Sequence, residues 1–241
     1  MHKLKDFYYK HQTFFDKAKE FILKYHVIEF IISGLIYAFM GIFYTLALKI
    51  NSDVSLAHEV HWKIDEMIPM VKPFVIFYYL YYIIPPLFCW ISSFYSKKRF
   101  VTLMISIYSC ILIAFTIYCF YQVHMVRPVL EGSDIFTTMI RWMYEDADPL
   151  ALNCCPSLHT VMGTFTALAL LGIKKAPWWS KVIGIICGIG ITISTLFIKQ
   201  HYVLDVLCGL ALALIVYLIV VLCVNIYLKH KEKKIETIKE N

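Results

Sequence analysis

The stretch from Val203 to Leu228, VLDVLCGLALALIVYLIVVLCVNIYL, has a single charged residue, Asp205, among its 26 positions. An α-helix rises about 1.5 Å per residue, so a run of this length can cross the roughly 30 Å hydrocarbon core of a bilayer. The run lacks the two-residue alternation of a barrel strand, and lipid cannot satisfy the open edge of a sheet. The stretch therefore predicts a transmembrane helix.

Five further apolar segments precede it along the chain. They are Val27 to Leu48, Pro73 to Tyr95, Val101 to Tyr121, Leu158 to Ile173 and Val182 to Ile198. The composition agrees, because 60% hydrophobic and 17% charged residues in a 241-residue chain leave more apolar surface than a soluble core buries. A soluble enzyme and a disordered chain are excluded. We predict an all-α, polytopic membrane protein with a bundle of six transmembrane helices.

The chain divides into a predicted cytoplasmic tail over residues 1–26, a six-helix membrane domain over 27–228 and a basic cytoplasmic tail over 229–241. In the N-terminal tail, apolar residues recur at roughly heptad spacing among lysines, at Phe7, Phe14, Phe15, Ala18, Phe21 and Ile22. This pattern predicts an amphipathic helix on the surface of an anionic leaflet, with a partner-binding helix as the alternative. Pro85 and Pro86 predict a kink in the second span.

Lysine and arginine are unevenly distributed between the segments that flank the predicted spans. Seventeen lie in the two tails and in the second and fourth loops, and six lie on the other side. Cytoplasmic segments carry the excess of positive residues, so both termini are predicted to be cytoplasmic in an integral protein of the plasma membrane. The loops Lys49 to Lys72 and Gln122 to Ser157, and the turn Lys199 to Tyr202, are then extracytoplasmic. Because the basic residues fall in short runs between apolar blocks, nucleic acid is not a predicted partner.

Three short polar motifs lie at ends of the predicted spans: Arg127-Pro128, Pro156-Ser157-Leu158-His159 and His201-Tyr202-Val203-Leu204-Asp205. From His159 the chain crosses the membrane twice before it reaches His201, so both histidines are expected at the same face. Arg127 follows the third span, which ends at that face as well. The motifs are therefore predicted to converge at the extracytoplasmic boundary.

The residue types in these motifs suit phosphoryl chemistry. His201 and Asp205 are four residues apart at a helix start, so the carboxylate can hold one ring nitrogen protonated and leave the other as a nucleophile. Ser157 suits a helix N-cap beside outward-pointing amides, and His159 can supply a proton. The alternative is that Ser157 only caps its helix and both histidines reach to the membrane interface.

The three motifs resemble the signature blocks of the type 2 phosphatidic acid phosphatase superfamily, which contains integral-membrane lipid phosphatases and phosphotransferases. The sequence looks like the subgroup whose second block reads Pro-Ser-Leu-His. The resemblance implies that His201 forms a phosphohistidine, that Asp205 orients it, and that His159 protonates the leaving group. It also implies that Arg127 and Ser157 hold phosphate oxygens.

Three positions depart from the pattern of that superfamily. Phe120 stands where a Lys is usual, Leu158 where a Gly is usual, and Thr195 where an Arg is usual. Two phosphate-binding cations are therefore missing, and Lys199 or Arg141 are the candidates to compensate. Lys199 is included in the predicted phosphate site.

The predicted function is hydrolysis of a phosphomonoester or pyrophosphate lipid at the extracytoplasmic interface, with the bilayer and the lipid phosphate as partners. A head-group phosphotransferase of the inositol-phosphorylceramide or sphingomyelin synthase type is one alternative, because fewer cations suit a phosphodiester. A transporter or a catalytically silent membrane protein is another. No cofactor is predicted, and no metal, since His58 and His61 lack a third ligand. The identity of the lipid and the oligomeric state stay open.

Overall fold

The computed structural model describes residues 12–240, and within this range the chain is helical with no β-strand. The helices are α1 (Gln12–Lys24), α2 (Val27–Ile50), α3 (Lys63–Met67), α4 (Val75–Leu80), α5 (Ile84–Tyr95), α6 (Lys97–Phe120), α7 (Ile135–Trp142), α8 (Leu158–Leu170), α9 (Trp178–Phe197) and α10 (Val203–Glu240). The all-α prediction is confirmed. The predicted boundary at Leu228 lies inside α10, which continues without a break to Glu240.

The six predicted spans are only partly reproduced as membrane-crossing helices. Four helices, α2, α6, α9 and α10, are long and apolar enough to cross a bilayer, and α4 with α5 forms a bent pair that counts as a fifth span. Helix α8 has 13 residues and is about 20 Å long, which is shorter than the hydrocarbon core. The apolar helices indicate an integral membrane protein, but the count of six full spans is not confirmed.

The second predicted span is bent, as its two prolines predict. Helices α4 and α5 meet at an angle of 40° across residues 81–83. Pro85 and Pro86 have no N–H to donate to the carbonyls four residues earlier, those of Tyr81 and Tyr82, so the helix cannot continue through this point. The hydroxyl of Tyr37 on α2 donates to the carbonyl of Tyr81 instead.

The short helix α8 lies at the centre of the bundle, packed against α5, α6, α9 and α10. Its side chains Val161, Met162, Phe165 and Ala169 are fully buried. By contrast, the outer face of α10 exposes large apolar side chains such as Leu218, as expected of a surface that faces lipid. A helix shielded on all sides by protein need not span the bilayer to be stable.

Two glycines allow α8 and α9 to approach closely. A Cβ placed on Gly188 would lie 2.3 Å from the carbonyl oxygen of Gly163, and one placed on Gly163 would lie 2.6 Å from that of Gly188. Small residues of this kind let helix backbones pack together inside membranes. The position of α8, and of the motif at its start, depends on this contact.

The N-terminal helix α1 joins α2 at a corner formed by His26, which has a left-handed φ of 50°. The carbonyl of His26 accepts a hydrogen bond from the indole of Trp90 at 3.1 Å, and its Nδ1 lies 3.0 Å from the hydroxyl of Ser93. The apolar side chains Phe21 and Leu23 are exposed, and Phe7 lies outside the described residues. The location of this helix on a leaflet stays a prediction.

We predict that Gly188→Ala lowers the thermal unfolding midpoint of the protein in detergent micelles. The added methyl group meets backbone rather than a movable side chain, and overpacking of this kind costs about 1–3 kcal/mol. Gly34→Ala is the matched control, since a Cβ there has no neighbour within 4 Å. Equal midpoints for the two variants would contradict the packing argument.

Candidate active site

The structure brings the second and third motifs into direct contact. His159 lies in the first turn of α8 and His201 in the turn that precedes α10, and the Nδ1 of His159 is 3.3 Å from the Nε2 of His201. The backbones are joined as well, because the amide of Ser157 donates to the carbonyl of Asp205 at 3.0 Å. Two motifs more than forty residues apart thus form one polar cluster at one end of the bundle.

The carboxylate of Asp205 fixes the protonation of His201. Its Oδ2 lies 3.3 Å from His201 Nδ1 and accepts the amide N–H of Tyr202 at 2.9 Å, and the side chain is fully buried. An ionised carboxylate only accepts hydrogen bonds, so the proton of neutral His201 resides on Nδ1. The Nε2 of His201 is then a free lone pair, as a nucleophile requires.

His159 is held between two aromatic rings. Its imidazole lies with ring centroids 4.6 Å from Tyr78 and 4.2 Å from Tyr81, at the end of α4 and the bend that follows it. If Nε2 of His201 is an acceptor, Nδ1 of His159 carries the hydrogen of the bond between them. The Nε2 of His159 is buried and has no hydrogen-bond partner in the described part of the chain.

The 3.3 Å contact between the two imidazoles constrains how a phosphate enters. In an in-line transfer, the phosphorus lies between the attacking nitrogen and the leaving oxygen, and the general acid lies beyond that oxygen. There is no room for this arrangement across 3.3 Å. Substrate binding therefore requires the rings of His159 and His201 to move apart.

Ser157 is the N-cap of α8, as predicted. Its Oγ accepts the amide N–H of Thr160 at 3.3 Å, and the residue is fully buried. The hydroxyl oxygen is thus engaged in the helix start. Its role in holding a phosphate oxygen stays a prediction.

Arg127 is engaged by partners that the sequence motifs do not include. Its Nη2 lies 2.5 Å from the carboxylate of Asp148 and 2.9 Å from Oε1 of Gln200, and its Nη1 donates to the carbonyls of Asp148 and Tyr144. The guanidinium also lies over the ring of Tyr144, 4.5 Å from the centroid. Asp148 stands in a connecting segment, where no spacing rule relates it to Arg127, so the sequence analysis missed it.

Two cavities meet at His201. The tyrosine cavity, of about 270 Å³, is lined by Asp148, His159 and a set of six tyrosines, Tyr37, Tyr44, Tyr78, Tyr81, Tyr82 and Tyr118. The polar cavity, of about 440 Å³, is lined by ionisable residues that include Glu59, His61, Asp65, Glu66, Arg127 and Lys199. The walls of both cavities are mainly apolar, but the second contains more Asp, Glu, Lys and Arg side chains than the first, and His201 lies in the wall of both.

The two candidates to replace the missing cations, Lys199 and Arg141, lie at different distances from the cavities. Lys199 lines the polar cavity, and its Nζ donates to the carbonyls of Asp65 at 2.9 Å and Ile68 at 2.6 Å. Partial burial lowers the pKa of this ammonium, while Asp65 opposes the shift. Arg141 is absent from the walls of both cavities and donates to the carbonyl of Gly132 at 2.9 Å. Lys199 is therefore the better placed of the two.

The two positions that lack the usual cations are also accounted for. Phe120, at the end of α6, is 85% exposed, so its side chain points away from the histidines. Thr195 on α9 is fully buried, and its hydroxyl donates to the carbonyl of Thr192 at 2.8 Å. An arginine has no space at position 195 without movement of its neighbours.

Asp65 is a second residue that sequence reasoning missed as part of the site. Its Oδ1 accepts the amide N–H of Val203, the first residue of α10, at 2.8 Å, and its Oδ2 accepts that of Trp62 at the same distance. The side chain is 7% exposed. Asp65 therefore caps the helix that begins two residues after His201, across a sequence separation that no local capping pattern reveals.

One group of residues has the composition of a metal site. Ligand atoms of Cys154, His201 and Asp205 lie within 4.8 Å of one another. A cysteine binds metal as the thiolate, yet burial raises the pKa of the Cys154 thiol, whose Sγ donates to the carbonyl of Ala151 at 3.1 Å. The thiol of Cys154 and the Oδ2 of Asp205 each have a hydrogen-bond partner within the protein, so no step is assigned to a metal.

Comparison with known families gives a match over part of the chain. Residues 146–228 match the PAP2 superfamily, and this segment contains both histidine motifs and Asp205. The match supports the resemblance to the type 2 phosphatidic acid phosphatase superfamily, whose members are phosphatases and phosphotransferases that act on lipid-type substrates. No curated protein and no solved structure gives a significant match. The Arg127 motif lies before the matched segment.

We predict that Asp65→Ala destabilises the start of α10 and lowers the free energy of unfolding by about 0.5–2 kcal/mol, the usual cost of removing a helix cap. His201 lies two residues before that helix, so turnover should fall as well. Chemical unfolding of the purified protein measures the first effect. Glu66→Ala is the control, because that neighbouring side chain is 67% exposed. A stability equal to that of the control would exclude the capping role.

Proposed function

We propose that this protein is a membrane lipid phosphatase or phosphotransferase that works through a phosphohistidine on His201. The observation that carries the proposal is the buried chain of hydrogen-bonded groups from Asp205 through His201 to His159, at the junction of the two cavities. In this chain a carboxylate orients a nucleophile, and a second imidazole lies within reach of the same centre. These are the parts that covalent phosphoryl transfer needs.

The first step forms one bond and breaks one. With its proton held on Nδ1 by Asp205, His201 attacks phosphorus through Nε2, and the bond from phosphorus to the lipid oxygen breaks. His159, which enters this step protonated on both ring nitrogens, gives one proton to that oxygen and becomes neutral, and the oxygen leaves as the alcohol. In the second step water attacks the phosphorus, His159 takes a proton from the water, and the bond to His201 breaks to release phosphate.

The charge that develops on the phosphate oxygens is held by neighbouring donors. We assign this role to Arg127, Ser157 and Lys199, with the first-turn amides of α8. Arg127 and Lys199 line the polar cavity, and Ser157 caps α8 two residues before His159. The tyrosine cavity is suited to the part of the substrate nearest the acyl chains, since its wall also carries apolar side chains such as Met40 and Leu152.

Two substrate classes are compatible with this mechanism. Hydrolysis of a phosphomonoester or pyrophosphate lipid is the function that the superfamily resemblance favours. Head-group transfer from a phosphodiester lipid is the second candidate, and one observation favours it: Arg127 is paired with Asp148 at 2.5 Å, so its charge is already balanced. A phosphodiester carries one negative charge and requires fewer compensating cations than a phosphomonoester.

We predict that His201→Ala abolishes both turnover and the acid-labile phosphoprotein formed with a radiolabelled lipid phosphate. Asp205→Asn should fold and lose activity by a factor of roughly 10⁴, as when an orienting carboxylate is removed from a catalytic histidine. His230→Ala, at an exposed position far along α10, serves as the control. Wild-type phosphate release by His201→Ala would contradict the proposed function.

We propose that the protein lies in the plasma membrane. Both termini are then cytoplasmic, and the active site is extracytoplasmic. The support is the bias of 17 basic residues to six across the two sides. The six basic residues belong to the same side of the predicted topology as the active site.

We predict that a cysteine at Ser133 reacts with an impermeant thiol reagent added to intact cells, whereas one at Lys98 does not. Both side chains are exposed, on opposite sides of the predicted topology. The exposed Cys223 is first replaced by serine, so that labelling reports the introduced thiol. If only the Lys98→Cys protein were labelled, the orientation would be the reverse of the one proposed.

A further inference from the structure

Asp148 makes more contacts than any role in the proposed mechanism explains. Its Oδ2 lies 2.5 Å from Arg127 Nη2 and accepts the Nε2 amide of Gln200 at 2.8 Å. Its Oδ1 accepts the hydroxyl of Tyr44 at 2.6 Å, and its backbone carbonyl accepts Arg127 Nη1 at 2.5 Å. The side chains of Arg127 and Asp148 are 9% and 16% exposed, so the pair lies in a region that water screens weakly.

These contacts engage most of the N–H donors of Arg127. A guanidinium has five N–H groups, and the two terminal nitrogens supply four of them. In this site all four are taken: Nη1 donates to the carbonyls of Tyr144 and Asp148, and Nη2 donates to Asp148 and Gln200. The remaining donor, Nε–H, is buried and has no partner among the described residues. Arg127 thus has one donor left for a phosphate oxygen.

The surrounding charges comprise one further cation and three carboxyl groups. Lys199 is the other cation in the wall of the polar cavity, and its Nζ is bound to two carbonyls. The same wall contains the carboxyl groups of Glu59, Asp65 and Glu66. A doubly charged phosphate placed against His201 would meet a paired arginine and several acidic groups, and like charges at close range repel.

We propose that Asp148 is a specificity-determining residue that makes the site prefer a phosphate with one negative charge, as in a phosphodiester lipid, to one with two. By holding Arg127 in a neutral pair, Asp148 leaves one N–H and no net charge for the substrate phosphate. The inference rests on the proposed function of the site around His201 and selects the phosphodiester class within it. The leaving group is the diacylglycerol oxygen in either class, and the group on the far phosphate oxygen decides the charge.

The test uses two lipids that differ by one methyl group, dioleoyl phosphatidate and dioleoyl phosphatidylmethanol. Both release diacylglycerol when the bond from phosphorus to the glycerol oxygen breaks, so one assay measures kcat/KM for each in mixed micelles. Wild-type protein should favour the methyl diester. Asp148→Asn should raise the phosphatidate-to-diester ratio of kcat/KM by roughly tenfold or more, and tenfold corresponds to about 1.4 kcal/mol.

Asp146→Asn is the matched control, because it makes the same change of charge two residues earlier at an exposed position. Its ratio should equal that of the wild type. An equal loss of activity on both lipids in Asp148→Asn would indicate a structural role only and overturn the proposal, as would an unchanged ratio. If Asp148→Asn does not fold, the test uses the wild-type protein alone. A preference of the wild type for phosphatidate would also overturn the proposal.

Failure of the proposed function gives a different result. In that case His201→Ala would release diacylglycerol as fast as the wild type, or the wild type would release none from either lipid. Charge selection is then measured by binding, from the thermal stabilisation that each lipid gives to the full-length protein. Asp148→Asn should gain more stabilisation from phosphatidate than from the methyl diester, and an equal gain from both would reject the selection by Asp148.

Discussion

The site depends on the close approach of the start of α10 to the start of α8. A Cβ on Gly209 would lie 2.5 Å from the carbonyl oxygen of Ser157, so glycine is required for this approach. The backbone hydrogen bond from Ser157 to Asp205 joins the same two helix starts. Because one start carries His159 and the other follows His201, a contact between backbones fixes the distance between two reactive side chains.

The bend in the second span also shapes the surroundings of His159. Proline removes two N–H donors there, and Tyr37 donates to the freed carbonyl of Tyr81, which ties α2 to the bend. Tyr78, just before the bend, and Tyr81, within it, contact the ring of His159. A local backbone defect therefore forms both the wall of the tyrosine cavity and one side of the pocket for an imidazole.

The sequence predicts the parts of this site that follow local rules. The i,i+4 relation of His201 and Asp205, the N-cap at Ser157 and the kink at Pro85 all depend on residues that are close in the chain, and the structure has all three. Asp65 lies in the short helix α3 and Asp148 in a connecting segment, and they act across 138 and 21 positions, separations that no local pattern reveals. The length of α8 escaped prediction for another reason: hydrophobicity does not distinguish a helix shielded by protein from one that faces lipid.

The balance of charge explains how a site with so few free cations can hold a phosphate. The starts of α8 and α10 converge on the histidines, and each helix start carries roughly half a positive charge. Asp65 and Asp205 already accept backbone N–H groups at the start of α10, so much of its positive end is compensated. Ser157 offers the start of α8 a neutral hydroxyl instead of a carboxylate, which leaves that end positive. The free positive potential thus comes from one helix start, one arginine N–H and the ammonium of Lys199, which is bound to two neutral carbonyls, and this matches a singly charged phosphate better than a doubly charged one.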